Sequence, residues 1–382
     1  MAGIYIHIPF CVSKCRYCDF VSFPCANDVK RRYVDALIKE IKICARELPH
    51  REYDTVFIGG GTPSTLELGE IMRIVASLRE RLDIKDDAEF TIEANPGTLD
   101  RWKLEEYRMC GINRLSLGLQ SVSPRILKAL GRIHTADDFL SNVQLAKNAG
   151  FTNINADLMY GLPEQSTEDF LAAIALAAGS GVEHISAYSL IVEEDTPLYF
   201  DINGGGTLLP GEDEAFDMYT QGKQLLESLG FHRYEISNYA KDGYRSKHNL
   251  NYWNNGEYLG LGLNSHSAMR IDGKWLRWAN KSGLEAYMTD ISDDKRPLAE
   301  EPKSIERAEE MFECVMLGLR KTEGIKDSEF ISRFGESIFE AFSKAIAELD
   351  KEELLICTDN GIRLNERGLD IENLALMPFM ED

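Results

Sequence analysis

The chain has 382 residues, 44% of them hydrophobic and 27% charged, which is the composition of a folded globular protein and excludes disorder over most of the length. A chain of this size corresponds to two or three domains. Its 42 Lys and Arg against 63 Asp and Glu give a net charge of −21, which disfavours nucleic acid and anionic membranes as partners. No apolar run approaches the roughly 18 residues of a membrane span, and the N-terminus lacks the basic segment of a signal peptide, so we expect a cytoplasmic protein.

The first half of the chain repeats one unit, a short β-branched run followed by an amphipathic helix. Strands are predicted over 3–8, 55–58, 89–93, 114–119, 152–159 and 184–190, and helices near 28–47, 68–81, 100–109, 135–149 and 167–178. Strands that alternate with helices indicate a parallel sheet with right-handed crossovers. Six strands are too few for a closed eight-stranded barrel, and no dinucleotide-binding glycine motif follows the first strand. The prediction is therefore an α/β fold with a partial six-stranded (β/α)6 barrel over residues 1–200.

The second half of the chain changes in composition twice. Residues 201–298 are less regular and rich in Gly, Asn, Tyr and Trp, and they are interpreted as a barrel extension and connecting region. From residue 304 an amphipathic helix begins, followed by helices near 327–333 and 337–350 and a hairpin over 354–364. These elements predict a C-terminal helical, winged-helix-like domain over 299–382. Because the chain is acidic, we expect that domain to serve packing or partner binding rather than DNA binding.

Three of the eight cysteines are spaced C-x3-C-x2-C in the loop after the first strand: Cys11, Cys15 and Cys18. A disulfide framework is not expected in a cytosolic chain of this size. A structural zinc site would usually take four ligands, whereas a [4Fe–4S] cluster held by only three thiolates leaves one iron open to a small molecule. A zinc site and unrelated buried thiols are the alternatives to such a cluster. Three other cysteines fall in predicted helices and are interpreted as buried apolar thiols: Cys44, Cys110 and Cys314.

The C-x3-C-x2-C spacing in the first βα loop of a partial barrel resembles the radical S-adenosylmethionine superfamily. The resemblance implies that Cys11, Cys15 and Cys18 hold three irons of a [4Fe–4S] cluster, and that the amino and carboxylate groups of S-adenosylmethionine chelate the fourth. Further site residues should then lie where the strands end, as in barrel enzymes generally. The second strand ends in Gly-Gly-Gly-Thr-Pro at 59–63, although a plain turn explains that segment equally well. The third ends at Glu93, whose carboxylate can accept from ribose hydroxyls or an ammonium group.

The segments 5–11, 59–63, 93–96, 116–121 and 157–163 narrow the resemblance to the oxygen-independent coproporphyrinogen III oxidase group, over nearly the whole chain. By motif position, four residues correspond to a first S-adenosylmethionine site: Tyr5, Gly60, Glu93 and Ile191. Six correspond to a second S-adenosylmethionine in that oxidase: Tyr17, Gly61, Thr62, Gln120, Arg132 and Asp157.

The sequence departs from the oxidase in ways that resemble its sister branch, the HemW heme chaperones. The oxidase has a fourth cysteine where this chain has Phe20, and an N-terminal extension where this chain begins its first strand at Gly3. Residues 248–253 also read H-N-x-x-Y-W, a motif of the chaperone branch. The resemblance implies heme as a third cofactor and delivery of heme to acceptor hemoproteins, such as membrane-associated respiratory enzymes. The rival interpretation is oxidative decarboxylation of coproporphyrinogen III. The sequence does not determine the oligomeric state, and a homodimer is one of the alternatives.

The heme-binding candidates are His248, Tyr252 and Trp253, with His266, His184 and Cys25 as the next candidates for the iron ligand. Imidazole is a common axial ligand of heme iron, and the two aromatic rings offer flat apolar surface to a porphyrin. By local content alone, a histidine beside aromatic residues is better explained as a packed loop, and only the resemblance favours heme. We expect His248 to lie on a loop that faces a partner.

Overall fold

A computed structural model describes residues 1–380, and a twelve-stranded sheet forms its centre. The strands are β1 (Ala2–Ile8), β2 (Glu52–Gly60), β3 (Asp83–Ala94), β4 (Arg114–Gln120), β5 (Ile154–Tyr160), β6 (His184–Ser189), β7 (His232–Arg233), β8 (Asn238–Ala240), β9 (Glu257–Leu261), β10 (His266–Ile271), β11 (Lys274–Ala279) and β12 (Lys303–Ile305). β1 to β6 are consecutive parallel neighbours, which confirms the predicted six-stranded unit.

The sheet extends beyond the predicted strands at both edges. β9 pairs in parallel with β1, so a seventh parallel strand comes from the region predicted to be irregular. β10, β11 and β12 continue that edge as antiparallel strands, and β8 and β7 continue the other edge beside β6. β9 escaped prediction because its partner, β1, lies some 250 residues earlier, and a local pattern carries no information about such a pairing.

The helices of this part are α1 (Asn27–Glu47), α2 (Glu70–Arg81), α3 (Arg101–Met109), α4 (Pro124–Ala129), α5 (Ala136–Asn148), α6 (Thr167–Gly179), α7 (Pro197–Asn203), α8 (Glu212–Ser228), α9 (Lys247–Trp253) and α10 (Leu284–Ser292). Short polar residues set where several of them begin. Thr135 and Ser166 form capping boxes with Asp138 and Asp169, so the first backbone N–H groups of α5 and α6 have acceptors. The apolar faces of α1, α2, α3, α5 and α6 pack with the parallel strands in one continuous core, whereas Ile126 of α4 belongs to a small separate cluster with Met159 and Leu162.

The C-terminal part has its own apolar core, formed by residues 311–379. Its elements are α11 (Arg307–Gly318), β13 (Ile325–Lys326), α12 (Asp327–Phe334), α13 (Ile338–Ala341), α14 (Ser343–Lys351), β14 (Leu355–Thr358), β15 (Gly361–Leu364), α15 (Glu366–Asp370) and α16 (Glu372–Ala375). The first two predicted helices and the hairpin are confirmed, and β13 adds a third strand beside β15. The single helix predicted near 337–350 is wrong, because the backbone leaves the helical conformation at Phe342 and divides it into α13 and α14.

Ion pairs join this C-terminal part to the edge of the large sheet. Arg270 on β10 pairs with Glu310 on α11, and Arg277 on β11 pairs with Glu313 on the same helix, with Nη2 and Oε2 2.7 Å apart. Arg333 on α12 also donates to Glu310, at 2.8 Å. α11 therefore lies along β10 and β11. No helix within residues 1–380 is long and apolar enough to cross a bilayer.

Candidate functional site

A cavity of about 440 Å³ opens where β2 to β6 end, beside the loop that follows β1. We call it the barrel cavity. Parallel strands carry their carboxyl ends to the same edge, so residues far apart in sequence meet here. Eleven of the thirteen residues predicted to hold the cluster or S-adenosylmethionine line it: Cys11, Cys15, Cys18, Tyr17, Gly60, Gly61, Thr62, Glu93, Gln120, Arg132 and Asp157.

The cysteine loop is held at both ends by backbone hydrogen bonds. Cys11 N–H donates to the carbonyl of Phe23 at 3.2 Å, and Arg16 N–H donates to the carbonyl of Leu130 at 3.0 Å. Phe23 N–H donates to the carbonyl of Pro9 at 2.9 Å, which closes the loop on itself. The loop is therefore positioned by the strand that precedes it and by the end of α4.

Two donors point at cysteine sulfurs in this loop. Thr62 Oγ1 lies 3.6 Å from Cys11 Sγ, and Arg132 Nη1 lies 3.5 Å from Cys15 Sγ. Such donors stabilise thiolates, which are the form of cysteine that binds metals. Burial raises the pKa of the Cys18 thiol, so ligation would have to displace its proton.

The donor set fits an iron–sulfur cluster better than a single metal ion. Within residues 1–380, no three His, Cys, Asp or Glu side chains are close enough together to hold one ion. In a cubane cluster each thiolate binds a different iron, so the sulfurs need not converge on one point.

The Gly59-Gly60-Gly61 segment at the end of β2 does more than make a turn. Gly60 has a φ of +113°, and a Cβ added there would lie 2.6 Å from His7 Nδ1. A Cβ on Gly59 would lie 2.9 Å from a carboxylate oxygen of Glu93. Gly60 N–H donates to that carboxylate at 3.1 Å. The glycines thus let the backbone approach Glu93 and the cavity closely.

Glu93 and Asp157 form an acidic pair in the barrel cavity. Burial, reinforced by the charge of Asp157, raises the pKa of Glu93 to about 8. Burial also raises the pKa of Asp157, although Ser116 Oγ and Asn155 Nδ2 donate to it at 3.0 and 2.8 Å. A cationic ligand would relieve the cost of ionising this pair. The cavity is therefore suited to a ligand that carries ammonium or sulfonium charge.

Apart from Phe20, seven further residues line the barrel cavity that the sequence analysis did not select: Ser13, Ala94, Asn95, Ser116, Gly118, Met159 and Tyr188. Three of them lie on the same face of a strand as a residue that the sequence analysis selected. Ser116 and Gly118 precede Gln120 at steps of two on β4, and Met159 follows Asp157 on β5. Side chains two apart on a strand share a face, so this periodicity could have found them.

Two predicted residues lie elsewhere. Tyr5 does not line the barrel cavity; its hydroxyl donates to His7 Nδ1 at 3.0 Å, since His7 Nε2 must donate to the carbonyl of Val21 at 2.9 Å. Tyr5 instead faces a second, smaller cavity. Ile191 is 69% exposed beyond the end of β6.

The H-N-x-x-Y-W motif forms α9, so the predicted loop position of His248 is wrong. The Ser246 hydroxyl caps the helix by accepting from Asn249 N–H at 3.3 Å. His248 is only 1% exposed, and its ring nitrogens contact Thr55 Oγ1 at 2.8 Å and Tyr252 Oη at 3.0 Å. Burial lowers the pKa of His248 to about 3, so the ring is neutral.

The two aromatic residues of the motif face different surroundings. Tyr252 lines the second cavity beside Tyr258, with ring centroids 4.8 Å apart. Trp253 instead lies under the guanidinium of Arg320, 5.5 Å from the ring centroid, at the junction with the C-terminal part. The motif therefore does not present its three side chains to one ligand in this conformation.

Comparison with known proteins agrees with this architecture. Residues 5–177 match the Radical SAM superfamily, and residues 305–371 match the HemN C-terminal domain. The solved structure of coproporphyrinogen III oxidase (HemN) from Escherichia coli superposes with a TM-score of 0.84 at 23% identity, covering 99% of this chain and 89% of that one. Fold and cysteine loop together define a radical S-adenosylmethionine protein.

Full-length relatives define the family within that superfamily. The heme chaperone HemW of Bacillus subtilis is 34% identical over 381 residues, which cover 100% of this chain and 99% of that protein. The heme chaperone HemW of Escherichia coli is 37% identical over 335 residues, covering 87% of this chain and 86% of that one. The chain belongs to the HemW family, which confirms the branch predicted from Phe20 and the H-N-x-x-Y-W motif.

Proposed function

We propose that the protein is a cytoplasmic heme chaperone, which binds a [4Fe–4S] cluster, S-adenosylmethionine and heme and delivers heme to acceptor hemoproteins. Membrane-associated respiratory enzymes are the acceptors we expect. The observation that carries the proposal is Phe20. It stands where the oxidase group has a cysteine, is 65% exposed, and lines both the barrel cavity and the second cavity.

The barrel cavity would hold the cluster and S-adenosylmethionine. Cys11, Cys15 and Cys18 would be the protein ligands of the cluster, with the Thr62 hydroxyl and the Arg132 guanidinium stabilising the thiolates. When bound, such a cluster keeps one iron free to chelate the amino and carboxylate groups of S-adenosylmethionine.

The remaining predicted contacts fit that arrangement. The carboxylate of Glu93, fixed by the Gly60 N–H, would accept from the cationic end or the ribose of the cofactor. Gln120 and Asp157 also line this cavity.

We also propose three domains, with the barrel over 1–200, its extension over 201–298 and the helical domain over 299–382.

The relatives named heme chaperones support heme rather than coproporphyrinogen as the cargo. Phe20 supports it too, because a phenyl ring offers a flat apolar face to a porphyrin and cannot replace a thiol. Heme ligation by His248 would require α9 to move, since both ring nitrogens are engaged and the ring is buried.

The test starts from anaerobic reconstitution with iron and sulfide. The reconstituted protein is titrated with hemin in the Soret band, incubated with an apo-hemoprotein, and assayed with coproporphyrinogen III. We expect hemin binding at a defined stoichiometry, heme transfer, and no decarboxylation. Porphyrinogen decarboxylation, or no hemin binding by the wild type, would contradict the proposed function.

A further inference from the structure

We propose that heme is held in the second cavity, with His266 as its iron ligand and Phe20 and Tyr258 against the porphyrin. This side cavity has a volume of about 310 Å³ and is lined by residues within the segments 5–7, 19–21, 252–258 and 264–266. The inference rests on the proposed function, because it places the heme which that function requires.

His266 differs from the other six histidines of the chain. Four are buried: His7, His134, His184 and His248. Of the three exposed ones, His50 faces Asp83 at 3.5 Å and His232 faces Glu227 at 2.9 Å. His266 begins β10, is exposed, and lines the side cavity without a hydrogen-bond or ion-pair partner for its ring among residues 1–380. A neutral imidazole with a free nitrogen is a good ligand of heme iron.

The strand that carries His266 gives the ring a rigid base. β10 pairs with β11 along its whole length, with His266 opposite Ala279. Asn280 N–H donates to the carbonyl of Ser265 at 2.8 Å, and Ser265 Oγ donates to the carbonyl of Gly262 at 2.8 Å. A metal ligand on a fixed backbone loses little conformational freedom when it binds.

Aromatic side chains form the remaining walls. Phe20 projects from the cysteine loop and is 65% exposed, which is unusual for phenylalanine and leaves one ring face available. Tyr258 on β9 and Tyr252 on α9 meet edge to face at the other side. Porphyrins bind to such surfaces by stacking and by burial of apolar area.

The side cavity is small enough that a bound porphyrin would stay partly exposed and could be released to an acceptor. Its 310 Å³ lies at the low end of ligand pockets, which span about 300 to 1,000 Å³. A porphyrin would enter by one edge and stay partly exposed, which leaves a free edge for an acceptor protein to capture.

The charges at the rim orient such a ligand. Asp19 lines the side cavity and would repel heme propionates. Lys14 is the nearby cation that contacts a lining residue, since its Nζ donates to the carbonyl of Phe20 at 3.0 Å. We therefore expect the propionate edge to face solvent on the Lys14 side and the opposite edge to enter between Phe20 and Tyr258.

In this arrangement His248, the histidine of the motif, does not bind the iron itself. Tyr252 Oη contacts His248 Nε2 at 3.0 Å, so His248 fixes the tyrosine ring that forms the cavity wall. His248 is a positioning residue in this arrangement. Its loss should weaken binding of any porphyrin, whereas loss of an iron ligand should weaken binding of heme alone.

That distinction gives the experiment. The reconstituted full chain is titrated with hemin, followed in the Soret band, and with metal-free protoporphyrin IX, followed by fluorescence. His266→Ala should weaken hemin binding at least about tenfold and change the Soret maximum, while metal-free protoporphyrin binds as in the wild type. Phe20→Ala should weaken both porphyrins about two- to tenfold. The matched controls His50→Ala and His232→Ala should behave as the wild type.

Three results would overturn the inference in distinguishable ways. Wild-type hemin affinity and Soret spectrum in His266→Ala would remove His266 as the ligand and leave the proposed function intact. A His248→Ala variant that loses hemin but keeps metal-free protoporphyrin would make His248 the ligand, with α9 opened. Failure of the wild type to bind hemin would remove the proposed function and this site together.

Discussion

The barrel cavity and the side cavity are built in opposite ways. The barrel cavity collects residues from successive parallel strands at one sheet edge, together with one loop. The side cavity joins four segments that are up to about 260 residues apart, and these meet because β9 pairs with β1 and β10 folds back on β9. A site of the first kind follows from strand order, whereas a site of the second kind depends on long-range pairing.

The two cavities also differ in chemistry. Thiols, two carboxyls with raised pKa values and the Arg132 guanidinium surround the barrel cavity. Aromatic rings and an exposed imidazole surround the side cavity. The cysteine loop contributes to both, since Phe20 follows Cys18 by two residues and lines each cavity. One loop therefore contributes to a cavity lined by thiols and to a cavity lined by aromatic rings.

The largest effect should come from the cysteine loop. Cys15→Ala removes one thiolate and should abolish the visible absorbance of the cluster and the bound iron after reconstitution. Cys25→Ala is the matched control, because Cys25 lies in the same part of the chain but outside the barrel cavity. Iron retained by Cys15→Ala, or lost from Cys25→Ala, would break the assignment of the cluster to the barrel cavity.

Glu40 on α1 supports the loop that leads into the side cavity. Its carboxylate accepts from Gly262 N–H at 2.8 Å, Tyr287 Oη at 2.6 Å and Asn280 Nδ2 at 2.6 Å, all buried. Glu40→Ala leaves the Gly262 N–H and the Tyr287 hydroxyl unpaired and should lower the free energy of unfolding by about 2–4 kcal/mol. Hemin affinity should fall as well, while cluster content stays normal. Urea denaturation, hemin titration and iron analysis test this.

The same carboxyl predicts a pH dependence of stability. Burial raises the pKa of Glu40 to about 7, from a usual value of 4.5. Between these two pH values the unfolded chain loses a proton that the folded protein keeps, so stability should decrease as the pH rises from about 4.5 to about 7. Glu40→Gln should lack that component of the slope. Identical slopes for wild type and variant over this range would show that Glu40 does not titrate there.

Glu93 should affect ligand binding in the barrel cavity and not in the side cavity. Glu93→Ala should weaken S-adenosylmethionine binding by about 1.5–3 kcal/mol, the usual loss for a charged hydrogen bond, with cluster and hemin binding unchanged. Because the pKa of Glu93 is raised to about 8, binding of a cation at pH 7 should release a proton. Calorimetry in two buffers of different ionisation enthalpy measures that proton, and Glu93→Gln should not release it. Unchanged affinity in Glu93→Ala would make the residue structural.

The smallest effect should come from the joint with the C-terminal part. Arg277 is 36% exposed, whereas its partner Glu313 is only 9% exposed. Burial raises the pKa of Glu313, so the carboxyl left by Arg277→Ala can take up a proton, and the variant should lose about 1 kcal/mol of unfolding free energy, and less at high salt. S-adenosylmethionine affinity should not change, because this joint lies on the β11 side of the sheet. Thermal unfolding at two salt concentrations tests it, with exposed Lys295→Ala as the control. A loss of S-adenosylmethionine binding would show that the joint and the barrel cavity are coupled.

Particular residues show how much of each cavity can be predicted from the sequence. The positions of Glu93, Gln120 and Asp157 could be predicted because the first two lie at the ends of β3 and β4 and the third lies within β5, and the patterns of all three strands are visible locally. His248 could not be placed correctly, because its burial depends on Thr55 and Tyr252 closing around the ring. His266 carried no local signal, since its exposure depends on the partners of β10.

The sequence by itself determined the parallel barrel, the cysteine loop, the strand-end residues and the family. Periodicity, strand order and motif spacing are local properties, and parallel strands bring their ends together whatever the details of packing. Only the tertiary structure decided that α9 buries His248, that β9 joins β1, and that Phe20, Tyr258 and His266 face one cavity. These outcomes depend on contacts between segments some 200 or more residues apart, and the free energy of such contacts is set by the whole fold rather than by any one segment.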